Sequence, residues 1–458
     1  MAEAIHTEMN QTDLDSDESA QQMLELTDLS STCLQQQYVE DEVTIDVKEM
    51  IQDYGDGLLL PECCIYRVPI LIRNLKEEAY TPKVVSIGPF HYNNERLQEM
   101  ERHKQILFKR FTQRAMSCLD DLVRCVKHLE PKVRASYSQA INLTEQELVK
   151  LTLTDAGFII QLFMMFHEVE AFRKDAKLSQ PWLADSILYD LMLLENQLPF
   201  FVIEELFNKA FPHDRRDGLP SFLKLAYGYF GYYNIQKLEP NPDIKIRHFT
   251  DLLRLFYLQG KISPREPFTS EARSRILLYS ANALQKAGIK LKANMSKCLL
   301  DLKFSGHILE IPQILVDDET EVLFRNMIAL EQCHYPYDSY ITDYAHVLDR
   351  LIDTYKDADL LVHKKIVNNH LGDANNVALL FNGLWENITQ LNFNSEYLDI
   401  CQRLNGYCED HWHKMKATLR RDYCNTPWRT VASIAGIILL VLTIVQTIFS
   451  VLQAVLKK

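Results

Sequence analysis

Apolar side chains recur every three or four residues through most of the chain, the pattern of helices that bury one face. Between residues 97 and 126, for example, Leu97, Met100, Phe111 and Leu122 alternate with charged residues in this way. Such segments predict surface helices that pack against a common core.

Two apolar segments in the middle of the chain break this simple pattern. Residues 156–166 are apolar on nearly all sides and follow Thr154 and Asp155, which we expect to cap a central core helix. Residues 186–207 are similarly apolar but contain Pro199, so we expect the helix to end or kink near Gln197 and a second helix to follow.

A short β pattern follows in the second half of the chain. Residues 299–304 and 307–316 flank Ser305-Gly306, which predicts a hairpin, and Asp317 then starts a helix that runs through Cys333. We therefore expect a mainly α fold, a large helical domain with a small β-hairpin.

Turn-forming residues are concentrated between residues 208 and 271, with prolines at 212, 240, 242, 264 and 267. This stretch is the candidate for an insertion or a lobe boundary. It is either a protruding recognition surface or a place where sequence drift is tolerated.

Composition agrees with a helical protein and excludes several classes. The 458 residues contain only 14 Gly and 16 Pro, which argues against collagen-like and turn-dense all-β architectures. The 10 Cys include no C-x-x-C pair, so no zinc ribbon or thioredoxin-type motif is present in the sequence.

The net charge of -13 comes from one end of the chain. Residues 1–60 hold 15 acidic residues and one basic residue, so the remainder is nearly neutral and nucleic acid is not an expected partner. We expect residues 1–58 to form an acidic mobile tail, or alternatively a docking peptide that uses an apolar stripe of Met23, Leu26, Leu29 and Cys33.

The C-terminal segment predicts a membrane anchor. Val431 to Leu456 are 26 residues without a charge, about 39 Å as a helix against a hydrocarbon core of about 30 Å. We expect a single C-terminal transmembrane helix in residues 426–458, after a helical domain of residues 59–425. The candidate anchor residues are Trp428, Val431, Gly436, Thr443, Gln446, Thr447, Ser450 and Leu456.

Charges around this segment predict its orientation. Five basic residues lie between positions 414 and 429, and two follow the span. The positive-inside tendency then places most of the chain in the cytosol, in a tail-anchored arrangement. The first 30 residues lack the pattern of a secretory signal, so the sequons at Asn10, Asn142, Asn294 and Asn387 are expected to carry no glycan.

Small and polar residues follow one side of the anchor. Ala432 and Gly436 form a small-x-x-x-small pair, and Thr443, Gln446 and Thr447 continue it. This side either packs against a second copy or another helix, or only relieves packing in a monomeric anchor.

Catalytic and metal-binding motifs are sparse. No nucleophile elbow or dinucleotide fingerprint occurs, and Gly260-Lys261 is followed by Ile262 rather than the Ser or Thr of a phosphate loop. His411 and His413 lie near Cys408 and Cys424, but their spacing directs them to different faces of a helix, so we expect no metal and no cofactor.

We accordingly expect a non-enzymatic protein that binds the bilayer and an unidentified protein partner. The alternative is a membrane-anchored hydrolase or transferase whose site is assembled in space, for example from Cys333 and His334 near the Asp317-Asp318 turn.

Several local motifs occur in collinear order from about Pro61 to the C-terminus. The motifs are Cys64-Ile-Tyr-Arg-Val-Pro69, Val84-Val-Ser-Ile-Gly-Pro-Phe-His91, Met100-Glu101 with Lys104, Leu193-Leu-Glu-Asn-Gln-Leu-Pro-Phe200, Asp317-Asp-Glu-Thr-Glu321 through Arg325-Asn326 to Glu331-Gln-Cys333, and Asn425-Thr-Pro-Trp428 before Gln446-Thr447. Together they resemble the plant domain-of-unknown-function 247 family.

The resemblance implies a plant membrane-associated protein with no established catalytic residues or cofactor. It also implies a role in recognition, because some members of that family are tied to pollen–stigma self-incompatibility in grasses and to reproductive development. The motif residues themselves read as structural. Gly88 and Pro89 suit a tight turn, and Glu195, Asn196 and Gln197 can satisfy backbone groups near the Pro199 break.

Overall fold

The computed structural model describes residues 61–215, 218–258, 263–410 and 427–456. The chain divides into two compact units, residues 1–59 and residues 60–458, and the described residues all belong to the second unit. The predicted acidic tail lies outside the described residues. The predicted boundary between the helical domain and the anchor, at residue 425, falls in the part of the chain that is not described, so it stays a prediction.

Most of the described chain is helical, as the apolar periodicity predicts. Short 3-10 turns at Glu77–Ala79, Pro89–His91 and Glu95–Leu97 lie between the first two α-helices. The α-helices are α1 (Ile70–Arg73), α2 (Gln98–Arg114), α3 (Leu119–Ala135), α4 (Glu145–His167), α5 (Val169–Lys174), α6 (Pro181–Asp190), α7 (Phe200–Ala210), α8 (Phe222–Tyr229), α9 (Phe249–Tyr257), α10 (Ser270–Ser274), α11 (Ala281–Lys286), α12 (Asp318–His334), α13 (Tyr340–Leu351), α14 (Tyr355–His363), α15 (Ala374–Leu384), α16 (Ser395–Glu409) and α17 (Pro427–Leu456).

The described residues before α17 are called the body. Helix α4 is the centre of the first half of the body and packs against α2, α3, α7 and α8. It is longer than predicted, because the capping box is formed by Thr144 and Glu147 rather than by the expected Thr154 and Asp155. Thr154 lies inside the helix and donates its hydroxyl proton to the Lys150 carbonyl, 2.8 Å away.

The predicted apolar segment 186–207 divides earlier than expected. Helix α6 ends at Asp190 instead of near Gln197, and residues 191–199 form a buried non-helical loop, here called the polar loop. Pro199 then directly precedes α7. The early end has a local cause: the side chains of Asn196 and Gln197 bind the backbone groups that a continued helix would have used.

The second half of the body is built around α12, which packs against α9, α13 and α15. Asp317 caps this helix and accepts hydrogen bonds from the Glu319 and Thr320 N–H groups, at 3.1 and 3.0 Å. The predicted helix from Asp317 through Cys333 is therefore confirmed, with one further residue, His334, at its end.

Seven short strands lie in the described residues and form three small sheets. The predicted hairpin is confirmed around Gly306, although its strands are shorter than expected. Three other pairings occur. Strand β2 runs parallel to β4, β5 runs parallel to β6, and β1 runs antiparallel to β7. The strands are β1 (Arg265–Pro267), β2 (Lys290–Asn294), β3 (Lys303–Ser305), β4 (Ile308–Pro312), β5 (Ile314–Val316), β6 (Val367–Asn369) and β7 (Asn392–Asn394).

Much of the stretch from residue 208 to 271 contributes to the core. Phe222 in α8 and Phe249 and Phe256 in α9 are almost completely buried. Prolines and turns occupy the segments between these helices, and Tyr232, Ile235 and Ile244 are exposed there. The exposed large apolar side chains that the structure describes in this stretch lie in those connecting segments.

Only α4, among the described helices, is long and apolar enough to cross a membrane, and 89% of its apolar window is buried inside the body. Burial on this scale identifies α4 as a core helix, as predicted. The strongly apolar part of the C-terminal helix, Ile434–Phe449, is shorter than a full membrane span. The length of this apolar part therefore does not support a C-terminal transmembrane helix, although α17 itself extends over 30 residues.

Candidate functional site

Several of the motifs that resemble the plant family meet around the polar loop. Asn196 is completely buried: its Oδ1 accepts the Ile87 N–H at 2.7 Å, and its Nδ2 donates to the carbonyls of Val85 and Asp190. Gln197 donates to the carbonyls of Leu191 and Leu193. The prediction that these amides satisfy backbone groups near Pro199 is confirmed.

Glu195 is the charged centre of the loop, and its side chain is fully buried. Its carboxylate lies 2.7 Å from Arg67, 2.7 Å from Arg73 and 3.5 Å from His91, and it accepts the Val68 N–H at 2.9 Å. Burial alone raises the pKa of Glu195, but these hydrogen bonds and the Arg73 charge outweigh it and lower the pKa to about 2. The carboxylate is thus fixed in its ionised form and joins three separate segments of the chain.

Asp190, at the other end of the loop, has a different environment. It accepts three backbone N–H groups, from Lys83, Val84 and Val85, at 2.7 to 2.8 Å. Burial raises the pKa of Asp190 to about 6, because these hydrogen bonds only partly compensate for desolvation. Its role is to hold the segment that leads to Gly88.

Gly88 is placed where only glycine fits. Its φ is +72° and its ψ is -176°, and a Cβ atom would lie 2.4 Å from the Gln197 carbonyl oxygen. Its N–H donates to Asp155 at 2.8 Å, and Asp155 lies 2.5 Å from the buried ammonium of Lys104. Lys104 also donates to the Ser86 carbonyl at 2.7 Å, so the turn is fixed from α2 and α4 together.

The α12 motif joins the same network from the opposite side. Asn326 is completely buried, accepts the Leu194 N–H at 2.9 Å and donates to the Ala79 carbonyl at 2.8 Å. Further along α12, Glu331 pairs with Arg254 at 2.8 Å and accepts the Thr342 N–H at 2.8 Å. Both motif positions therefore hold elements together.

The structure does not bring Cys333 and His334 to the Asp317-Asp318 turn. They lie at the C-terminal end of α12, about 24 Å along the helix from that turn, because the helix is 17 residues long. The ring of His334 hydrogen-bonds to the Tyr66 hydroxyl at 2.9 Å.

The protonation tendencies of these groups also oppose a thiolate–imidazolium pair. Burial raises the pKa of the Cys333 thiol to about 12, and burial lowers the pKa of His334 to about 4. The neighbouring Cys64 and His248 shift in the same two directions. An activated cysteine requires the opposite shifts. Among the described residues, no group of three or more His, Cys, Asp or Glu side chains has metal-binding geometry.

One cavity combines aromatic rings with acidic side chains. This tyrosine cavity has a volume of about 170 Å³ and lies between the α8–α9 region, strand β5 and the start of α12. Tyr233 donates to Glu319 at 2.6 Å across it. The side chains at its wall that carry polar or aromatic groups are Tyr232, Tyr233, Tyr257, Asp317, Glu319, Thr320 and Phe324.

The sequence did not single out this cavity, because its walls come from segments that are far apart in the chain. The one signal available was the aromatic stretch from Tyr227 to Tyr233, whose residues also serve the core. Arg67 and Lys104 were present in the motifs, but the acids that they meet could not be assigned from spacing.

The candidate anchor residues all fall in α17. The described apolar side chains from Val431 to Phe449 are between 42% and 64% exposed. Thr443 and Thr447 donate their hydroxyl protons to the carbonyls four residues earlier, at 2.8 and 2.7 Å. Gly436 and Gln446 also lie on the exposed helix. Nothing is described of the side chains of Trp428, Ser450 and Leu456.

Comparison with known proteins gives a consistent result. A family model with the description "Plant protein of unknown function", DUF247, matches residues 65–442. The UPF0481 protein At3g47200 of Arabidopsis thaliana is 30% identical over 419 residues, 85% of this chain and 87% of that protein. The putative UPF0481 protein At3g02645 of the same plant is 23% identical over 490 residues, 86% of this chain and 91% of that protein.

No solved structure matches the chain. The family match begins at the first motif and continues into α17, so it covers the polar loop, the tyrosine cavity and part of the C-terminal helix. With that coverage, and with the motifs in collinear order, the chain belongs to the DUF247 family of plant proteins of unknown function.

Proposed function

We propose that this protein is anchored to a membrane by α17 and acts as a non-enzymatic recognition or signalling component that binds other proteins. The observation that carries the anchor is the exposed apolar surface of α17. Its described side chains from Val431 to Phe449 include a nearly continuous run of Ile, Leu, Val and Phe that the described part of the protein leaves exposed. Soluble proteins rarely expose an apolar surface of this size.

The dimensions of α17 suit a bilayer. Its 30 residues correspond to a length of about 45 Å, which exceeds the hydrocarbon thickness of about 30 Å and allows tilt. The basic residues before the helix favour an orientation with the body in the cytosol. Trp428 and Arg429 at its start are of the types that occupy membrane interfaces.

The recognition role is supported by what the family motifs do in this structure. Glu195, Lys104 and Glu331 are fully occupied by partners that hold the fold together. Burial raises the pKa of the Cys333 thiol and lowers the pKa of His334, the opposite of what a nucleophile and its base require. The resemblance to the family adds the biological setting, recognition between pollen and stigma or another step of reproductive development.

Membrane fractionation of the full-length protein tests the anchor. Ile438→Lys combined with Leu442→Lys places two charges in α17, each costing about 2.5 to 3.5 kcal/mol at a bilayer centre. We expect the wild type to remain in the membrane pellet after alkaline carbonate extraction and the double variant to be released. The matched control, Leu278→Lys with Leu379→Lys, changes two residues that are equally exposed on the body, and it should stay in the pellet. A soluble wild type, or a double variant that still resists extraction, would remove the anchor from the proposal.

Thiol alkylation distinguishes recognition from the alternative enzyme. Cys118 is exposed, whereas Cys333 is partly buried and its pKa is raised. With iodoacetamide at neutral pH we expect Cys118 to react first. Preferential alkylation of Cys333, abolished by His334→Gln, would favour the hydrolase or transferase alternative.

A further inference from the structure

We propose that the tyrosine cavity binds a small quaternary-ammonium cation of the choline type. The cavity is partly open to solvent and is lined mainly by apolar and aromatic surface. Binding there is independent of the membrane anchor, because every wall of the cavity belongs to the body.

Charge is the first reason. Asp317 and Glu319 are in the wall of the cavity, and no Lys, Arg or His side chain is among the residues that line it. Burial raises the pKa of the Tyr232 hydroxyl, and Asp317 and Glu319 raise it further; burial and Asp317 act in the same way on Tyr257. Both tyrosines therefore experience a negative potential, which favours a positively charged ligand.

The hydrogen bonds already formed by these acids select the kind of cation. One oxygen of Asp317 accepts the N–H groups of Glu319 and Thr320 and the Thr320 hydroxyl. Glu319 accepts the Tyr233 hydroxyl. A primary ammonium needs acceptors for three N–H groups, whereas an alkylated ammonium needs only the field and an aromatic surface. Tyr232 and Tyr233 provide that surface.

Tyr257 offers a ligand a hydrogen-bonding group. The residue lines the cavity, and its hydroxyl oxygen is not fully closed off from solvent. A ligand that carries a hydroxyl group beside its ammonium, as choline does, can hydrogen-bond to it there.

The size of the cavity agrees with a ligand of this kind. Its volume of about 170 Å³ is several times that of one water molecule, about 30 Å³, but below the range of about 300 to 1,000 Å³ that is usual for drug-sized ligands. A choline, or the trimethyllysine side chain of a peptide, has the same chemistry and comparable size. The experiment separates these two sources.

Calorimetric titration of the full-length protein in dodecyl maltoside, a detergent without a quaternary ammonium, tests the proposal. We expect choline to bind at one saturable site, and 3,3-dimethylbutan-1-ol, its uncharged counterpart of the same shape, to bind about tenfold more weakly or not at all. Titration with acetyl-trimethyllysine-amide identifies a peptide side chain as the source if it binds more tightly than choline.

Three variants and one control variant locate the site. Tyr232→Leu changes a residue that is 62% exposed, so the fold is retained, and it should weaken choline binding about fivefold. Glu319→Gln should weaken it by a similar factor, whereas Asp318→Asn, which removes a charge next to the cavity wall, is the matched control. Tyr257→Phe should weaken choline but leave tetramethylammonium unchanged, because the latter has no hydroxyl group.

The proposal fails if neither choline nor tetramethylammonium binds, or if the uncharged alcohol binds equally well. It also fails if affinity for choline is unchanged in both Tyr232→Leu and Glu319→Gln. Equal losses in Glu319→Gln and Asp318→Asn would assign the effect to net charge alone and would exclude a specific cavity.

Discussion

The polar loop and helix α17 reverse the usual distribution of polar and apolar groups in opposite ways. In the loop, Glu195, Asn196 and Gln197 are buried, and each is held by several partners. In α17, apolar side chains lie outside and the described part of the protein does not cover them. The polar side chains of the loop find their partners within the described residues, whereas the apolar side chains of α17 stay exposed there. Changes in the loop should therefore affect folding, and changes in α17 should affect location and association.

The largest effect is expected at Gly88. Gly88→Ala adds a Cβ atom 2.4 Å from the Gln197 carbonyl oxygen at a φ of +72°, so both strain and overlap oppose folding, by about 4 kcal/mol or more. We expect little folded protein, measured by urea unfolding of the full-length chain in detergent. Gly372→Ala is the matched control: its φ is +80° but no atom lies within 4 Å, so only the strain of about 1 to 2 kcal/mol applies. Equal losses in the two variants would show that the contact with the loop is unimportant.

Glu195 should give the loop a characteristic pH dependence. Its pKa of about 2 in the fold lies below its ordinary value near 4.3 in an unfolded chain, so its contribution of about 3 kcal/mol is complete above that value and is lost as the pH falls toward 2. Glu195→Gln should therefore lower stability at pH 7 and pH 5 by the same amount, and the difference from wild type should shrink below pH 4. Glu99→Gln, which changes an exposed acid, is the control and should leave unfolding unchanged. A difference that persists undiminished at pH 2 to 3 would contradict the ionised pairing with Arg67 and Arg73.

A smaller effect is expected where α2 crosses α4. The Cβ atom of Gly157→Ala would lie 2.5 Å from the Phe108 ring and 2.9 Å from the Phe111 ring, and moving these rings should cost about 1 to 3 kcal/mol. Gly406→Ala lies within α16 with no atom closer than 4 Å and should be neutral or stabilising by up to about 1 kcal/mol. The difference between the two midpoints of urea unfolding measures the close packing of the core around α4.

Sequence periodicity was sufficient for the helical class, the core helix and the hairpin, because each depends on neighbours within about ten to twenty residues. It failed at boundaries that side chains from elsewhere decide. The start of α4 was missed because Thr144 and Glu147 form the cap, and the end of α6 was missed because Asn196 and Gln197 bind backbone groups there. Strands such as β6 and β7 have only three residues, too few for an alternating pattern.

The candidate sites show the same limit. The sequence singled out Glu195 as part of a polar trio near Pro199, but not its partners Arg67 and Arg73, which lie more than 120 residues away. Proximity in sequence suggested a site at Cys333 and His334, and the length of α12 separates them from the acids proposed to assist. The tyrosine cavity required the fold, because Tyr257 and Asp317 meet only after α9 and α12 have packed together.

The smallest effect is expected from the hydroxyl groups of α17. Thr443 and Thr447 already donate to carbonyls of their own helix, so they have little hydrogen-bonding capacity left for a second copy. If α17 associates with itself, Thr443→Val and Thr447→Val should each weaken association by less than about 0.6 kcal/mol, whereas Gly436→Leu, which blocks close approach of two helices, should weaken it more. Energy transfer between two fluorescently labelled full-length populations in lipid vesicles measures this. Loss of association in Thr443→Val alone would mean that its hydroxyl turns toward a partner, and α17 would then resemble the polar loop in using buried hydrogen bonds for specificity.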